Sequence, residues 1–191
     1  MSLPRATVPR TQTLCEAVDA LPEGVTGEVI RGQLYAFPRP SARHGLAASN
    51  LGGDLINPYS RGRGGPGGWW IIGEPEVHFV RDVEFCVPDI GGWRRERMPA
   101  LPDDHRFEVV PDWVCEIASP STARYDRHTK LPVYERHGVP LVWLVDPLER
   151  WLEVHVLENG GYVTGGRVEG DAPIRQAPFA DVAIDPPWLE L

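Results

Sequence analysis

The stretch WVCEIASPSTARYDRHTKLPVYERHGVPLVWLVDP, residues 113–147, reads as strand, helix, strand, and its reading decides the architecture. In the first run Val114, Glu116 and Ala118 share one face, while Cys115 and Ile117 point the other way. Glu116 thus interrupts a run that otherwise reads as buried. A carboxylate in that place must be paired or metal-bound, because an isolated buried charge is very costly. A helix is expected from Thr122 to His137, with Gly138 as its stop. On it Asp126, Lys130 and Tyr134 are four apart and share a face. Leu141–Val145 is a continuous apolar run, as a central strand covered on both faces requires.

Lys130 is the only lysine of the chain, although Lys and Arg together number 19. Arginine cannot replace lysine where chemistry needs a compact point charge or an amine of tunable pKa. Taken alone, Asp126 and Lys130 would be a surface ion pair worth a few tenths of a kcal/mol. The carboxylate just upstream points instead to a site. Pro132 removes one backbone bond inside the helix and is expected to kink or restart it beside Lys130.

Upstream, Thr13-Leu-Cys-Glu16 is a capping box that opens a short helix to about Leu21. Residues 27–37 alternate as a hairpin turning at Arg31-Gly32. Ser41 caps a second helix with Ala47, Leu51 and Leu55 on one stripe, and Asn57-Pro58 is expected to stop it. Residues 60–68 form a basic, glycine-rich loop, followed by strands at 69–73, 76–80 and 84–91 and an arginine-rich excursion at 93–106. Asp89 follows Pro88 at the end of the run Val83–Val87. If that strand neighbours the one bearing Glu116, two carboxylates converge in a hard-oxygen site suited to Mg²⁺ or Mn²⁺. Pro111-Asp112 is a second such pair, but Asp112 lies about 13 Å from Glu116 at ~3.3 Å per residue, so Asp89 is preferred. Residues 151–163 read as a hairpin turning at Asn159-Gly160-Gly161, and the proline-rich tail is expected to pack across the sheet edge.

Composition bounds the function. At 191 residues, with 20 prolines, 20 glycines and 42% hydrophobic residues, the chain suits one domain of short elements, with a loose arm at 1–12 and an extension at 164–191. A net charge of −8 disfavours a polyanion-coating role, yet a bound divalent cation inverts the local field and keeps nucleic acid open as a substrate. Cys15, Cys86 and Cys115 sit apart in apolar runs and read as reduced packing residues. No leader is expected, since no charged-then-apolar pattern is read, and the sequence shows no apolar run of about 18 residues, no P-loop, no serine-hydrolase elbow and no zinc spacing. Ser119 and Ser121 read as a helix entry. A cytoplasmic protein is expected.

Pro88-Asp89, Glu116-Ile-Ala-Ser-Pro-Ser-Thr122, Tyr125-Asp126, Lys130, Tyr134, Gly138-Val139 and Leu141–Pro147 together resemble the Uma-two family, within the PD-(D/E)XK phosphodiesterase superfamily. The similarity covers about residues 12–165. It implies an α/β fold, a restriction-endonuclease-like mixed central sheet with an αβββαβ core, bound Mg²⁺ (or Mn²⁺) and hydrolysis of nucleic-acid phosphodiesters. It implies Asp89 and Glu116 as catalytic metal ligands, joined by the Ile117 carbonyl. The superfamily's lysine position, two after the glutamate, is Ala118 here, and the family pattern supplies Lys130 from the next helix. Asp126 would orient Lys130, with His44 and Glu28 supporting the site. DNA is the expected partner, and a homodimer would suit duplex cleavage. Arg61, Arg63, Arg94, Arg95 and Arg97 are candidate phosphate contacts or solvated loop residues, and Trp93 beside them could stack on a base. Trp69, Trp70, Trp113 and Trp143 are expected to pack the sheet. A catalytically silent binding scaffold and a hydrolase of other phosphodiesters fit the same residues.

Overall fold

A computed structural model describes residues 12–189; of the arm expected at 1–12, residues 1–11 lie outside the described residues. The architecture is mixed α/β, with the strands shared between two sheets.

Helix α1 (Leu14–Asp19) opens on the expected capping box, with Thr13 and Glu16 satisfying each other's backbone N–H. Strands β1 (Val25–Ile30) and β2 (Gln33–Pro38) form the hairpin, and Arg31 and Gly32 both take positive φ at its turn. That conformation matches the right-handed twist of the flanking strands. Helix α2 (Ala42–Leu55) is capped by Ser41, and Ala47, Leu51 and Leu55 have no solvent exposure. Asn57-Pro58 does not stop it. The chain runs on through a wide π-turn, Ile56–Ser60, closed by Arg61 N–H donating to the Ile56 carbonyl at 2.9 Å. The i→i+5 spacing absorbs Pro58, which has no N–H to give. The glycine-rich loop is then tied back, Gly67 N–H donating to the Pro58 carbonyl at 2.9 Å.

Strands β3 (Trp69–Gly73) and β4 (Glu76–Val80) fall where expected. The run read as one strand at 84–91 is two. Strand β5 (Glu84–Cys86) pairs with β1 and β4, whereas β6 (Ile90–Arg94) pairs with β3 and with β8 (Trp113–Ile117). Val87-Pro88-Asp89 is the crossing from one sheet to the other, and Pro88, without a donor, suits the break. A short strand β7 (Arg106–Phe107), not expected from the pattern, pairs in parallel with β4. Strand β9 (Leu141–Asp146) lies parallel to β8, and β10 (Trp151–Glu158) and β11 (Gly161–Glu169) form the last hairpin. The sheets therefore run β2-β1-β5-β4-β7 and β11-β10-β9-β8-β6-β3.

The expected long helix is interrupted: α3 (Ala123–Tyr125), a π-turn over Asp126–Lys130, then α4 (Leu131–Arg136) with Pro132 in its first turn. Leu131 N–H bonds the Asp126 carbonyl. Pro132 sits just beyond this widened turn, in the first turn of α4, where its missing donor costs least. Helix α4 is bolted down by Glu84, which accepts from Arg136, from His137 Nε2 and from the Arg31 backbone N–H. These partners outweigh burial and hold the Glu84 carboxyl down to about 2.

The six-stranded sheet is covered on both faces. Val114, Val142 and Leu144 meet Tyr125, Val133 and Tyr134 of the helical segment. The opposite face, with Trp113, Cys115, Ile117, Trp143 and Val145, packs on α2 and on the C-terminal tail. That tail does not lie across the sheet edge. Phe179 sits among Tyr59, Trp69, Trp113 and Trp143, with ring centroids 4.7–5.7 Å away, and Trp143 Nε1–H donates to the Ala177 carbonyl at 2.8 Å. Four large apolar side chains of the tail, Ile174, Phe179, Ile184 and Trp188, outweigh its polar look.

Candidate active site

The crossing between the sheets sets the geometry. Ile90 is in register with Cys115, so Asp89 arrives beside Glu116 and Ile117 on the neighbouring strand. Asp89 Oδ2 accepts the Ile117 N–H at 2.6 Å, and Oδ1 meets His44 Nε2 at 2.8 Å. His44 reaches it from the first turn of α2.

Lys130 enters from the helical side. Its Nζ lies 2.8 Å from Glu116 Oε1 and 3.0 Å from Glu28 Oε1, and donates to the Val87 carbonyl at 2.9 Å. Those three partners use its three protons. Glu28 also accepts the Val87 N–H (2.8 Å) and the Tyr125 hydroxyl (2.6 Å), and Tyr134 donates its hydroxyl to Glu116 Oε1. Glu28, Glu116 and Lys130 are 2–4% exposed. The π-turn delivers Lys130 and Tyr134 to one place despite Pro132.

Three carboxylates (Glu28, Glu116, Asp126) thus act on one ammonium, and Asp89 adds its charge beside Glu116 and Asp126. Burial pushes Glu116 well above the usual carboxylate range, and Asp126, Asp89 and Glu28 add to the rise against the pull of Lys130. Burial likewise carries Asp126 up to about 7, Lys130 opposing and Asp89 and Glu28 assisting. Burial alone would lower the Lys130 amine, but the attraction of Glu116, Glu28 and Asp126 holds it well above its ordinary value. For His44, burial lowers and the Asp89 hydrogen bond and charge raise, with a net rise. A carboxyl raised in the folded state stabilises the fold below its unfolded pKa, and that contribution is lost as pH rises through the folded value. Asp126→Asn is therefore expected to raise stability by about 1–3 kcal/mol at pH 8 and by far less at pH 5. Urea unfolding at both values checks this; equal effects would count against it.

The donor set suits a hard divalent cation in kind and charge. Negative charge is in excess, both contacts to Glu116 fall on Oε1, and each Asp89 oxygen spends only one acceptor position. Among the described residues no three His, Cys, Asp or Glu side chains are grouped to hold a metal.

Every expected site residue except the arginine and tryptophan candidates is in this cluster. Asp126 reaches Lys130 by charge; the hydrogen bonds of Lys130 go elsewhere. Asp112 is a structural clasp, accepting from the Arg94 N–H (2.8 Å) and from Arg97 (2.6 Å). Arg94 and Arg95 lie over the rings of Trp69 and Trp70, and Arg95 also donates to the Ser60 carbonyl. Arg61 and Arg63 are exposed. Trp93 does not face a base: it is fully buried, stacked on Phe107 at 4.7 Å, with Nε1–H donated to the Val109 carbonyl. Sequence reasoning missed Tyr125 and Tyr134 as the hydroxyls that satisfy Glu28 and Glu116, although their helical spacing from Lys130 placed Tyr134 on its face.

The sequence pattern of the Uma2 family, described as "Putative restriction endonuclease", matches residues 13–186. The chain belongs to the Uma2 family. Its fold is also that of a solved structure from Anabaena variabilis, described as a "putative nuclease belonging to DUF820". The two are 23% identical, with a TM-score of 0.72 over 93% of this chain and 97% of that one. None of the curated proteins matches the chain. The match extends the expected similarity beyond residue 165, through most of the tail that fills the core. The fold is restriction-endonuclease-like: α2, β3, β6, β8, the α3–α4 segment and β9 follow the αβββαβ order. Strands β4 and β5 are inserted after the first core strand. Among the described residues, no helix is long and apolar enough to cross a membrane.

Proposed function

We propose that this Uma2 protein is a metal-dependent endonuclease that hydrolyses phosphodiester bonds of nucleic acid, with DNA as the expected substrate. The observation that carries the reading is the convergence of Asp89 and Glu116 at the sheet crossing, with the sole lysine 2.8 Å from Glu116. Asp89 and Glu116, with the Ile117 carbonyl, would hold Mg²⁺ or Mn²⁺. When bound, the cation would polarise the phosphoryl oxygen and lower the pKa of water. The chain's own residues do the rest. Ile117 N–H and His44 fix the Asp89 carboxylate. Tyr134 and Lys130 fix Glu116, and Glu28 holds Lys130 in place. A proton leaving water can be taken by Asp126, whose carboxyl burial carries up to about 7, against the pull of Lys130. Lys130, held by Glu28 and the Val87 carbonyl, would place its charge beside the attacked phosphate. A homodimer would set two such centres on the two strands of a duplex.

Purified protein is expected to nick plasmid DNA with Mg²⁺ or Mn²⁺ and to lose that activity in EDTA, with recovery when metal is restored. Agarose-gel conversion of supercoiled plasmid measures it. Cleavage indifferent to EDTA would remove the metal from the account. The rival reading, a silent scaffold, is favoured by one observation: all three donors of Lys130 are already spent. It predicts nucleic-acid or protein binding unaffected by divalent metal or by loss of Asp89.

A further inference from the structure

Helix α2 has a second patterned face. Gly45, Ala48, Ser49, Gly52 and Gly53 follow the i, i+3, i+4, i+7, i+8 spacing beside the core stripe and line an open cleft of about 600 Å³. A Cβ on Gly45, Gly52 or Gly53 would meet nothing within 4 Å. Internal packing therefore does not demand glycine there, although glycine is less favourable than alanine in a helix. The glycines keep this wall low.

The cleft ends at Asp89. Its other wall is the β3–β4 turn, where Glu74 takes φ +48 and donates its N–H to the Asp89 carbonyl at 3.0 Å. His44 also lines it; it is 7% exposed, and its Nδ1 has no hydrogen-bond partner among the described residues. Ile71 and Ile90 make part of the lining apolar, and no arginine or lysine contributes to it. Such walls do not suit a run of phosphates. They suit a flat apolar face with a polar edge, beside a single phosphate near His44 and Asp89.

We propose that this cleft takes one unpaired nucleotide of the substrate strand, its base against the small-residue wall of α2 and its amino edge toward Glu74. The inference rests on the nuclease reading and names the form of its substrate. A base inside a duplex cannot enter a cleft without leaving its stack. A carboxylate accepts hydrogen bonds from the exocyclic amines of cytosine, adenine and guanine, whereas thymine offers only its N3–H, flanked by two carbonyl oxygens that repel a carboxylate. The site therefore prefers single strands and disfavours thymine.

The test is fluorescence anisotropy with labelled 12-nucleotide oligomers of deoxycytidine or thymidine and a 12-base-pair duplex, at low salt with Ca²⁺ as the only divalent cation, the strands being checked on a gel to remain uncut. The deoxycytidine strand is expected to bind at least tenfold tighter than the duplex and about threefold tighter than the thymidine strand. Gly52→Leu should fill the cleft and weaken single-strand binding at least tenfold, with a melting temperature no lower than wild type. Gly52→Ala should raise the melting temperature and leave binding nearly unchanged. Glu74→Gln should erase the preference between the two strands. Equal binding of duplex and single strand, wild-type binding by Gly52→Leu, or no binding at all would overturn the inference. Because the assay excludes cleavage, a failed nuclease reading and a failed cleft reading give different results.

Discussion

Lys130→Ala is expected to abolish metal-dependent cleavage and to lower stability by about 3–5 kcal/mol, the usual cost of removing one partner from a buried ion pair. Two reasons make the stability loss large. Glu28 and Glu116, 2% exposed, would both lose their cation. The Val87 carbonyl would also lose its donor at the point where the chain changes sheets. Arginine should not rescue the site, because a planar fork cannot occupy a cavity shaped around a point charge with three short contacts. The double variant Lys130→Met, Glu116→Gln removes one buried charge of each sign and is expected to recover part of the stability without any cleavage. Urea unfolding and plasmid nicking, measured side by side, separate the two roles. Wild-type cleavage by any variant lacking Lys130 would sink the catalytic assignment.

Asp89→Asn should have the opposite profile. The side chain keeps its shape and an oxygen able to accept the Ile117 N–H, so stability should change by no more than about 1 kcal/mol. Cleavage should fall about 10³-fold, the scale of the several kcal/mol that a bound cation supplies to a transition state. His44 reports on the change independently. Its pKa is raised by Asp89 against the effect of burial, so in the variant it should titrate at lower pH when followed by NMR. Unaltered cleavage with a lowered His44 pKa would mean that Asp89 is structural and that the cation, if required, sits elsewhere.

Much of this site was legible because its residues are unusual for their surroundings. A glutamate inside Trp113–Ala118 and a lone lysine in an arginine-rich chain both demand an explanation that composition cannot supply. The αβββαβ order was legible for a similar reason, since β3, β8 and β9 are strongly patterned. The change of sheet at Val87–Asp89 was not. Residues 84–91 are apolar on both sides of the break, and period-two alternation does not say which neighbour a strand will choose. Trp93 was misread from its arginine neighbours, because sequence proximity to charge says nothing about where a ring packs. The tail was misread from its prolines, which hid four buried side chains. The small-residue face of α2 was visible in principle. It flanks the apolar stripe, and small residues carry no periodic signal of their own.

The position of Phe179 bears on when the molecule can become whole. Its partners Tyr59, Trp69, Trp113 and Trp143 all lie earlier in the chain, and the Val182 N–H donates to the Tyr59 hydroxyl across 123 residues of sequence. Local hairpins and helices can form during synthesis, but long-range closures of this kind are slow and come late. Until the segment around Phe179 has been made, the tryptophan face of the six-stranded sheet stands open to solvent and to other chains. Assembly therefore waits for the segment around Phe179. The strands that present Asp89 and Glu116 are firmly seated only after that last segment closes over their reverse side.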